Sequence, residues 1–288
     1  MSWRTVVITQ NCKLDYQMNH LIVRGKETVK IHIQEIAVLM IESTAVSITS
    51  YLLNELLKNK VKVIFCDEKR NPSSELVPYY GSFDTSLKIR NQIQFKEEIK
   101  KKIWTEIVRE KIKQQKKLLF DQEKEEYRML EQYEREVLPG DCTNREGHAA
   151  KVYFNALFGK SFSRKEDNAI NAALNYGYAL ILSAINREIA MNGYVTQLGL
   201  FHDNVHNSFN LGCDLMEPFR PLVDREVVVH SIECFSKGEK QIILALLSKE
   251  VKIKGKKEKL LNAMKIYVKS VFDALEEQDE SLIRFYEL

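Results

Sequence analysis

The stretch N-P-S-S-E-L-V-P-Y-Y-G-S, Asn71 to Ser82, separates two parts of a 288-residue chain that repeat their apolar residues at different intervals. Its prolines, its glycine and its small polar residues form turns, so a boundary or hinge is expected there. Toward the N-terminus, Thr5 to Thr9, Lys13 to Tyr16, His20 to Val23, Val29 to His32 and Val38 to Ile41 are rich in β-branched residues and are broken by Asn11, Asn19 and Gly25. These read as short strands. Ser47 to Lys58 interrupts them with Ile48, Tyr51, Leu52, Leu56 and Leu57 at helical spacing, and Val61 to Cys66 returns to a buried-strand pattern. Toward the C-terminus, Ile89, Ile93, Phe95, Ile99, Ile103, Trp104, Ile107 and Ile112 give one long amphipathic pattern, and Leu138, Pro139 and Gly140 stop a second helix. Ala169 to Ala190 reads as a central helix, and Lys256 to Tyr286 as a further amphipathic helix or pair. The expected fold is α+β. A small β-rich, sandwich-like domain with one helix spans 1–75, a linker 76–85, and a larger all-α domain 86–288.

A hydrophobic fraction of 44% and a charged fraction of 29% are those of a folded globular protein. Cys12, Cys66, Cys142, Cys213 and Cys234 stand in no C-x-x-C spacing, which argues against structural zinc. Their odd number and the lack of a signal-type apolar segment suit a reducing cytoplasm. No apolar run approaches the roughly 20 residues of a membrane-spanning helix. The net charge of +3 is too small to imply a polyanionic partner, but lysines cluster between Lys96 and Lys117, and again at Lys249, Lys252, Lys254, Lys256, Lys257 and Lys259. Such runs either track phosphates or form solvated faces.

Three positions in the helical half can carry chemistry. Glu146 shares a helix face with Ala149, Ala150, Tyr153 and Leu157, so its carboxylate needs a partner or a cation there. The alternative is that Asn144 caps the helix and Glu146 only favours the macrodipole. His202 follows Gly199, Leu200 and Phe201 in a loop-like segment, and is either a satisfied structural histidine or a ligand; His206 is a weaker partner for it. Asp214 and Glu217 lie three residues apart, with Pro218 ending or bending the turn, and would bind a divalent ion or pair with Arg220 or Arg225. Tyr153, Asn155 and Arg220 are possible supporting groups. Two carboxylates and an imidazole together suit Mg²⁺ or Mn²⁺, which neutralise phosphoryl charge and activate a hydroxyl for phosphodiester transfer.

R-E-G-H-A-A-K-V-Y-F-N-A-L-F-G from Arg145, D-N-A-I-N-A-A-L-N-Y-G-Y-A-L from Asp167 and L-G-C-D-L-M-E-P-F-R-P from Leu211 resemble, in order, the blocks of the CRISPR-associated protein one family, the integrase of CRISPR adaptation. The wording of the first and third is similar to the branch found with type II-A systems. The resemblance implies a β-rich dimerisation domain and a helical catalytic domain, with Glu146, His202 and Glu217 as metal ligands and Asp214 in support. The implied reaction joins a 3′-hydroxyl of a short foreign DNA duplex to the edge of a CRISPR repeat. Its implied partners are double-stranded DNA, a second copy of the chain, and the small CRISPR-associated protein two. A silent DNA-binding scaffold and a metal nuclease of branched DNA are the competing readings. The longer polar stretch Asp203 to Asn210 departs from the family pattern beside His202.

Overall fold

A computed structural model describes residues 4–78 and 82–287. The chain forms two compact units, Met1–Tyr79 with Leu247–Lys249, and Tyr80–Leu246 with Glu250–Leu288. Residues 79–81 of the expected turn and linker lie outside the described residues, as does Leu288.

The first unit contains β1 (Arg4–Ile8), β2 (Cys12–Gln17), β3 (His20–Arg24), β4 (Thr28–His32), β5 (Ile36–Ile41), β6 (Val46–Ile48), α1 (Ser50–Lys58), β7 (Lys62–Cys66) and β8 (Pro72–Glu75). They make two four-stranded sheets, ordered β1-β5-β7-β8 and β4-β3-β2-β6. Between β2 and β3 the chain turns on Met18 and Asn19, both at positive φ, the two-residue geometry whose twist matches flanking antiparallel strands. Thr49 caps α1 by accepting from the Leu52 N–H. Leu14 and Leu21 from one sheet, Ile36, Leu39 and Val63 from the other, and Leu52 and Leu56 from the helix bury one shared core. This is the β-rich unit with one helix that the residue pattern indicates.

One local expectation is corrected. Asn71 to Ser74 is not a turn: Pro72 opens β8, which pairs antiparallel with β7. The turn lies just before it, where the Asp67 carboxylate accepts from the Asn71 N–H and Arg70 takes a left-handed φ of 62°. A proline is tolerated there because β8 is an edge strand, with one side of its backbone unpaired.

The second unit contains α2 (Thr85–Ile93), α3 (Glu97–Asp121), α4 (Tyr127–Arg135), α5 (Arg145–Phe158), α6 (Ala169–Met191), α7 (Asn210–Met216), α8 (Arg220–Val229), α9 (Lys237–Ala245), β9 (Glu250–Ile253), β10 (Lys256–Lys259), α10 (Leu260–Glu277) and β11 (Tyr286–Glu287). Among the described residues, none of its helices, nor α1, is long and apolar enough to cross a membrane. Two buried helices organise it. α3 carries Ile99, Ile103, Trp104, Ile107, Val108, Ile112, Leu118 and Leu119 into the core and packs on α4, α5, α8 and α10. α6 packs on α7, α8, α9 and α10. Gly177 lets α6 and α8 meet: a Cβ there would stand 2.3 Å from Val223 Cγ1, closer than any real contact.

Two readings of this half change. The long pattern from Ile89 to Ile112 is two helices, broken at Gln94–Lys96 without proline or glycine. The break is held by tertiary bonds, since the Gln92 amide donates to the Val195 and Leu198 carbonyls and accepts from the Val195 N–H. The unit is also not all helical. Glu250 to Lys259 forms a hairpin, and Tyr286–Glu287 adds a third strand to give the order β10-β9-β11. Val251 and Ile253 are buried while Lys252 and Lys254 are exposed, a period of two that belongs to a strand. Lys254 and Gly255, both at positive φ, make the turn.

Candidate active site

α5 begins with its first N–H groups already satisfied. Asp141 accepts from the Arg145 and Glu146 N–H groups at 2.8 and 3.0 Å, and the Asn144 side chain accepts from Gly147. The capping role therefore falls to Asp141 and Asn144, which frees the Glu146 carboxylate to turn toward α3. There it accepts a hydrogen bond from the Lys111 ammonium, which donates equally to Glu217. Glu217 opens the single 3-10 turn, Glu217–Phe219, that Pro218 places between α7 and α8. The carboxylates of residues 71 positions apart thus converge on one positive nitrogen.

The site is buried on the Glu217 side. Glu217 is 3% exposed and Lys111 7%. Burial works against the charge of each, but their mutual attraction wins: the Lys111 ammonium is held above the usual lysine range by Glu217 and Glu146, and the Glu217 carboxyl below its usual range by Lys111 and Arg220. Arg220 Nε stands 2.8 Å from the other oxygen of Glu217. Its guanidinium lies over the Tyr178 ring at 4.6 Å from the centroid, which fixes its plane.

His202 is positioned from the other direction. Asp214, on α7 and fully buried, accepts from the backbone N–H groups of Leu200, Phe201 and His202 at 2.6, 3.0 and 3.3 Å, and meets His202 Nδ1 at 2.5 Å. One carboxylate so shapes the loop and anchors the ring. The loop closes this tightly because position 199 is glycine, where a Cβ would lie 2.2 Å from the His202 carbonyl oxygen. Trp104 of α3 stacks on Phe201 and lies edge-on to the imidazole at 5.9 Å. The bond to Asp214 raises the His202 pKa above the ordinary histidine value; burial opposes it, and the charges of Asp214, Glu217 and Glu146 add to it. Nε2 has no hydrogen-bond partner among the described residues, and a cavity of about 490 Å³, lined by Lys100, Leu198, Phe201 and Phe272, opens beside the ring.

A divalent ion fits the chemistry of this donor set: two carboxylates that already share a cation, and an imidazole whose Nδ1 is tied to a carboxylate, the arrangement that orients a metal-binding histidine. As the side chains stand, no three His, Cys, Asp or Glu groups among the described residues are placed to hold an ion together. The position between Glu146 and Glu217 belongs to Lys111.

The sequence profile described as "CRISPR associated protein Cas1" matches residues 5–235, most of the chain. The chain belongs to the Cas1 family. A relative named CRISPR-associated endonuclease Cas1, from Neisseria meningitidis serogroup C (strain 8013), is 38% identical over 232 residues, covering 79% of this chain and 76% of that one. Two solved structures share the fold. One, titled "Casposase bound to integration product", has a TM-score of 0.77 at 18% identity and covers 97% of this chain and 92% of that one. The other, "Cas6-RT-Cas1--Cas2 complex", has a TM-score of 0.73 at 18% identity and covers 97% of this chain, which spans only 36% of that longer one.

Within this Cas1-family chain the remaining candidates fall in different places. Arg220 contacts Glu217, as one reading of the sequence had it, whereas Arg225 pairs with Asp121 on the far end of α3. Among the described residues Tyr153 makes no hydrogen bond to the three candidate ligands: its hydroxyl donates to Asp224 at 2.8 Å, beside Tyr178, which donates to the same carboxylate at 2.5 Å. His206 sits in a turn, not on a helix face with His202. The α3 lysine run is largely neutralised within the fold, through Lys100–Glu97, Lys102–Glu98, Arg109–Glu106, Lys113–Glu110 and Lys116–Glu134. Lys111 and Asp224 were not singled out from the sequence. Lys111 had a signal, since it follows Ile107 by four residues and Val108 by three, on the buried stripe of α3.

Asp224 supplies a pH prediction. Burial pushes its carboxyl up to about 6, against the hydrogen bonds from Tyr178 and Tyr153 and the charge of Arg220. A carboxyl with a folded pKa above its unfolded value holds more protons when folded, so its contribution is most favourable below the unfolded value of 3.8 and is lost as pH rises through 6. Asp224→Asn removes that loss. The stability of wild type relative to the variant is expected to fall by on the order of 3 kcal/mol between pH 4 and pH 7, read from urea melts of both proteins.

Proposed function

We propose that this chain is the integrase of CRISPR adaptation, joining short DNA duplexes to a repeat array by metal-dependent transesterification at Glu146, His202 and Glu217. The observation that carries the reading is the convergence of the Glu146 and Glu217 carboxylates on a single cation, beside a histidine whose free nitrogen is oriented by Asp214. The name of the Neisseria relative and the titles of the two structural neighbours, an integration product and a complex with Cas2, support it.

In this reading a Mg²⁺ or Mn²⁺ ion held by Glu146, Glu217 and His202 Nε2 would supply neutralisation of phosphoryl charge and a lowered pKa for the attacking hydroxyl. The protein does the rest. Asp214 keeps Nδ1 engaged so that Nε2 carries the lone pair. Arg220 compensates Glu217 within the buried wall. A 3′-hydroxyl of the incoming duplex bonds to phosphorus at the repeat edge, the bond from phosphorus to the repeat's own 3′-oxygen breaks, and a new 3′-hydroxyl leaves. The cavity beside His202 gives the strand a way in. The β-rich unit serves dimerisation, Cas2 bridges the dimers, and the wording of the E-G-H-A-A-K and D-L-M-E-P-F-R-P blocks supports a type II-A system in the cytoplasm.

The β9–β10 hairpin is the DNA-gripping element. Lys252, Lys254, Lys256 and Lys257 are exposed and carry no ion pair among the described residues, while Lys259 pairs with Glu250 and Lys249 precedes the hairpin. Lys252 and Lys257 stand directly opposite each other, a like-charge pair that costs stability and that a phosphate backbone would relieve. Replacing these four lysines by alanine is expected to weaken duplex binding more at low salt than at high salt. The slope of log affinity against log salt should become shallower by up to about 3.6. An unchanged slope in fluorescence anisotropy removes the hairpin from the interface.

The reaction class is tested with an end-labelled duplex, a plasmid bearing the repeat, Mn²⁺ or Mg²⁺, and Cas2. Joined product that disappears with EDTA and with a 3′-blocked duplex is the expected result. Cut but unjoined DNA indicates a nuclease using water, and DNA retention without either product indicates a scaffold.

A further inference from the structure

Lys111 is an unusual residue to find where it is. It lies in the middle of α3 on the stripe that buries Ile107, Val108 and Ile112, its side chain is 8% exposed, and its ammonium is spent on the two carboxylates of the candidate metal site. A lysine without partners at such a depth would cost several kcal/mol, and so would two carboxylates facing each other without a cation. Each side of the cluster therefore explains the other. Arg220 already compensates one oxygen of Glu217, so the ammonium is the cation that Glu146 and the second Glu217 oxygen share.

A divalent ion bound between Glu146 and Glu217 needs the Glu217 oxygen that Lys111 holds, since the other faces Arg220, and it enters the same gap. Two cations cannot occupy one gap between two carboxylates, because both their volumes and their like charges exclude it. We propose that Lys111 is a built-in counter-ion of the metal site: its ammonium holds Glu146 and Glu217 together when no metal is bound, and a divalent ion enters by displacing it. The inference rests on the metal reading of Glu146 and Glu217 and deepens it. It accounts for the lack of a ready-made three-ligand cluster among the described residues, since the position is filled by the protein itself. It also gives Lys111 two opposed effects, stabilising the metal-free fold and weakening the affinity for metal, where a purely structural salt bridge would have only the first. The flexible four-carbon stem makes the exchange feasible, as a rigid arginine fork at the same place would not.

The test needs no catalysis. Mn²⁺ is titrated into the full-length protein, and free Mn²⁺ is followed by electron paramagnetic resonance, for wild type, Lys111→Gln and Lys111→Met. Melting is recorded in EDTA and in Mn²⁺. Both variants are expected to bind Mn²⁺ at least tenfold more tightly than wild type, about 1.4 kcal/mol. They should melt lower than wild type in EDTA and gain more from Mn²⁺. If neither variant folds in EDTA, recovery of the fold in Mn²⁺ supports the proposal, and failure to fold in Mn²⁺ overturns it. Equal or weaker Mn²⁺ binding in a folded variant overturns it as well. Its failure is separable from that of the reading beneath it. Wild-type binding that Glu146→Gln abolishes but Lys111→Gln leaves unchanged sinks the counter-ion alone, whereas no site-dependent Mn²⁺ binding in any of these proteins sinks both.

Discussion

Glu146→Ala is expected to lower the rate of duplex joining by about three orders of magnitude, roughly 4 kcal/mol of transition-state stabilisation, while the protein stays folded and holds DNA. The separation of effects follows from how α5 begins. Asp141 and Asn144 satisfy its N-terminal N–H groups, so the helix does not depend on the Glu146 side chain. What the substitution removes is one of the two carboxylates on Lys111, and Lys111 keeps the other. The lost bond is part-buried, with about a quarter of the Glu146 side chain exposed, and Lys111 keeps Glu217, so the stability cost should be about 2 kcal/mol. Single-turnover rates with a labelled duplex, beside melts and anisotropy on the same preparation, check all three statements. A rate within tenfold of wild type means that Glu146 is not a ligand in the reaction, whatever else the site does.

Asp214→Ala is expected to be the most destabilising single change in the site, by about 4 kcal/mol, which for a chain of this size lowers Tm by roughly 10 °C. Asp214 is fully buried and serves three backbone N–H groups and one imidazole. Removing it leaves the buried Leu200 N–H without an acceptor, takes the acceptor from the part-buried Phe201 and His202 donors, and lets the loop that carries His202 relax. Asp214→Asn separates the two consequences. Its amide oxygen retains part of the loop's hydrogen bonding, but its neutral side chain no longer favours the charged imidazole. In that variant the His202 pKa, followed by NMR, should drop toward the ordinary histidine value, because the bond to Asp214 is the largest cause of its elevation. A melt of Asp214→Ala within about 2 °C of wild type would show that the loop is held by something other than this carboxylate.

How far the sequence could be read depended on whether the deciding contacts were local. The alternation around Leu14, Leu21 and Leu39 and the helical spacing of Ile99, Ile103 and Ile107 are written within single elements, and they gave the β-rich and helical parts directly. The break between α2 and α3 was not legible, because its cause is Gln92 bonding to residues about a hundred positions away. The hairpin from Glu250 to Lys259 is legible in V-K-I-K-G, Val251 to Gly255, which alternates with period two and ends in a glycine turn, but the run of lysines hides the alternation.

The candidate site divides in the same way. Glu146, His202 and Glu217 stood out as polar groups set in apolar or small-residue context, and Asp214 by its spacing from Glu217. Lys111 looked like one more member of a basic run, although its place on the buried stripe of α3 distinguished it from Lys113 and Lys116. That its partners are Glu146 and Glu217 depends on α3, α5 and the turn after α7 meeting in space, which no local pattern encodes. Tyr153 illustrates the converse. Its helix face is apolar in the sequence and Tyr153 is buried, but the group waiting there is Asp224, and the hydroxyl is used to satisfy that carboxylate.

The proposed joining chemistry depends most on Glu146, Glu217 and His202 gathering around one divalent ion once Lys111 has moved aside. Crystals grown with Mn²⁺ and measured at the manganese absorption edge address this directly. A single anomalous peak bonded to one oxygen of each carboxylate and to His202 Nε2, with the Lys111 ammonium displaced, is the predicted result. Manganese bound elsewhere, or none in the cluster with Lys111 still bridging Glu146 and Glu217, would contradict it.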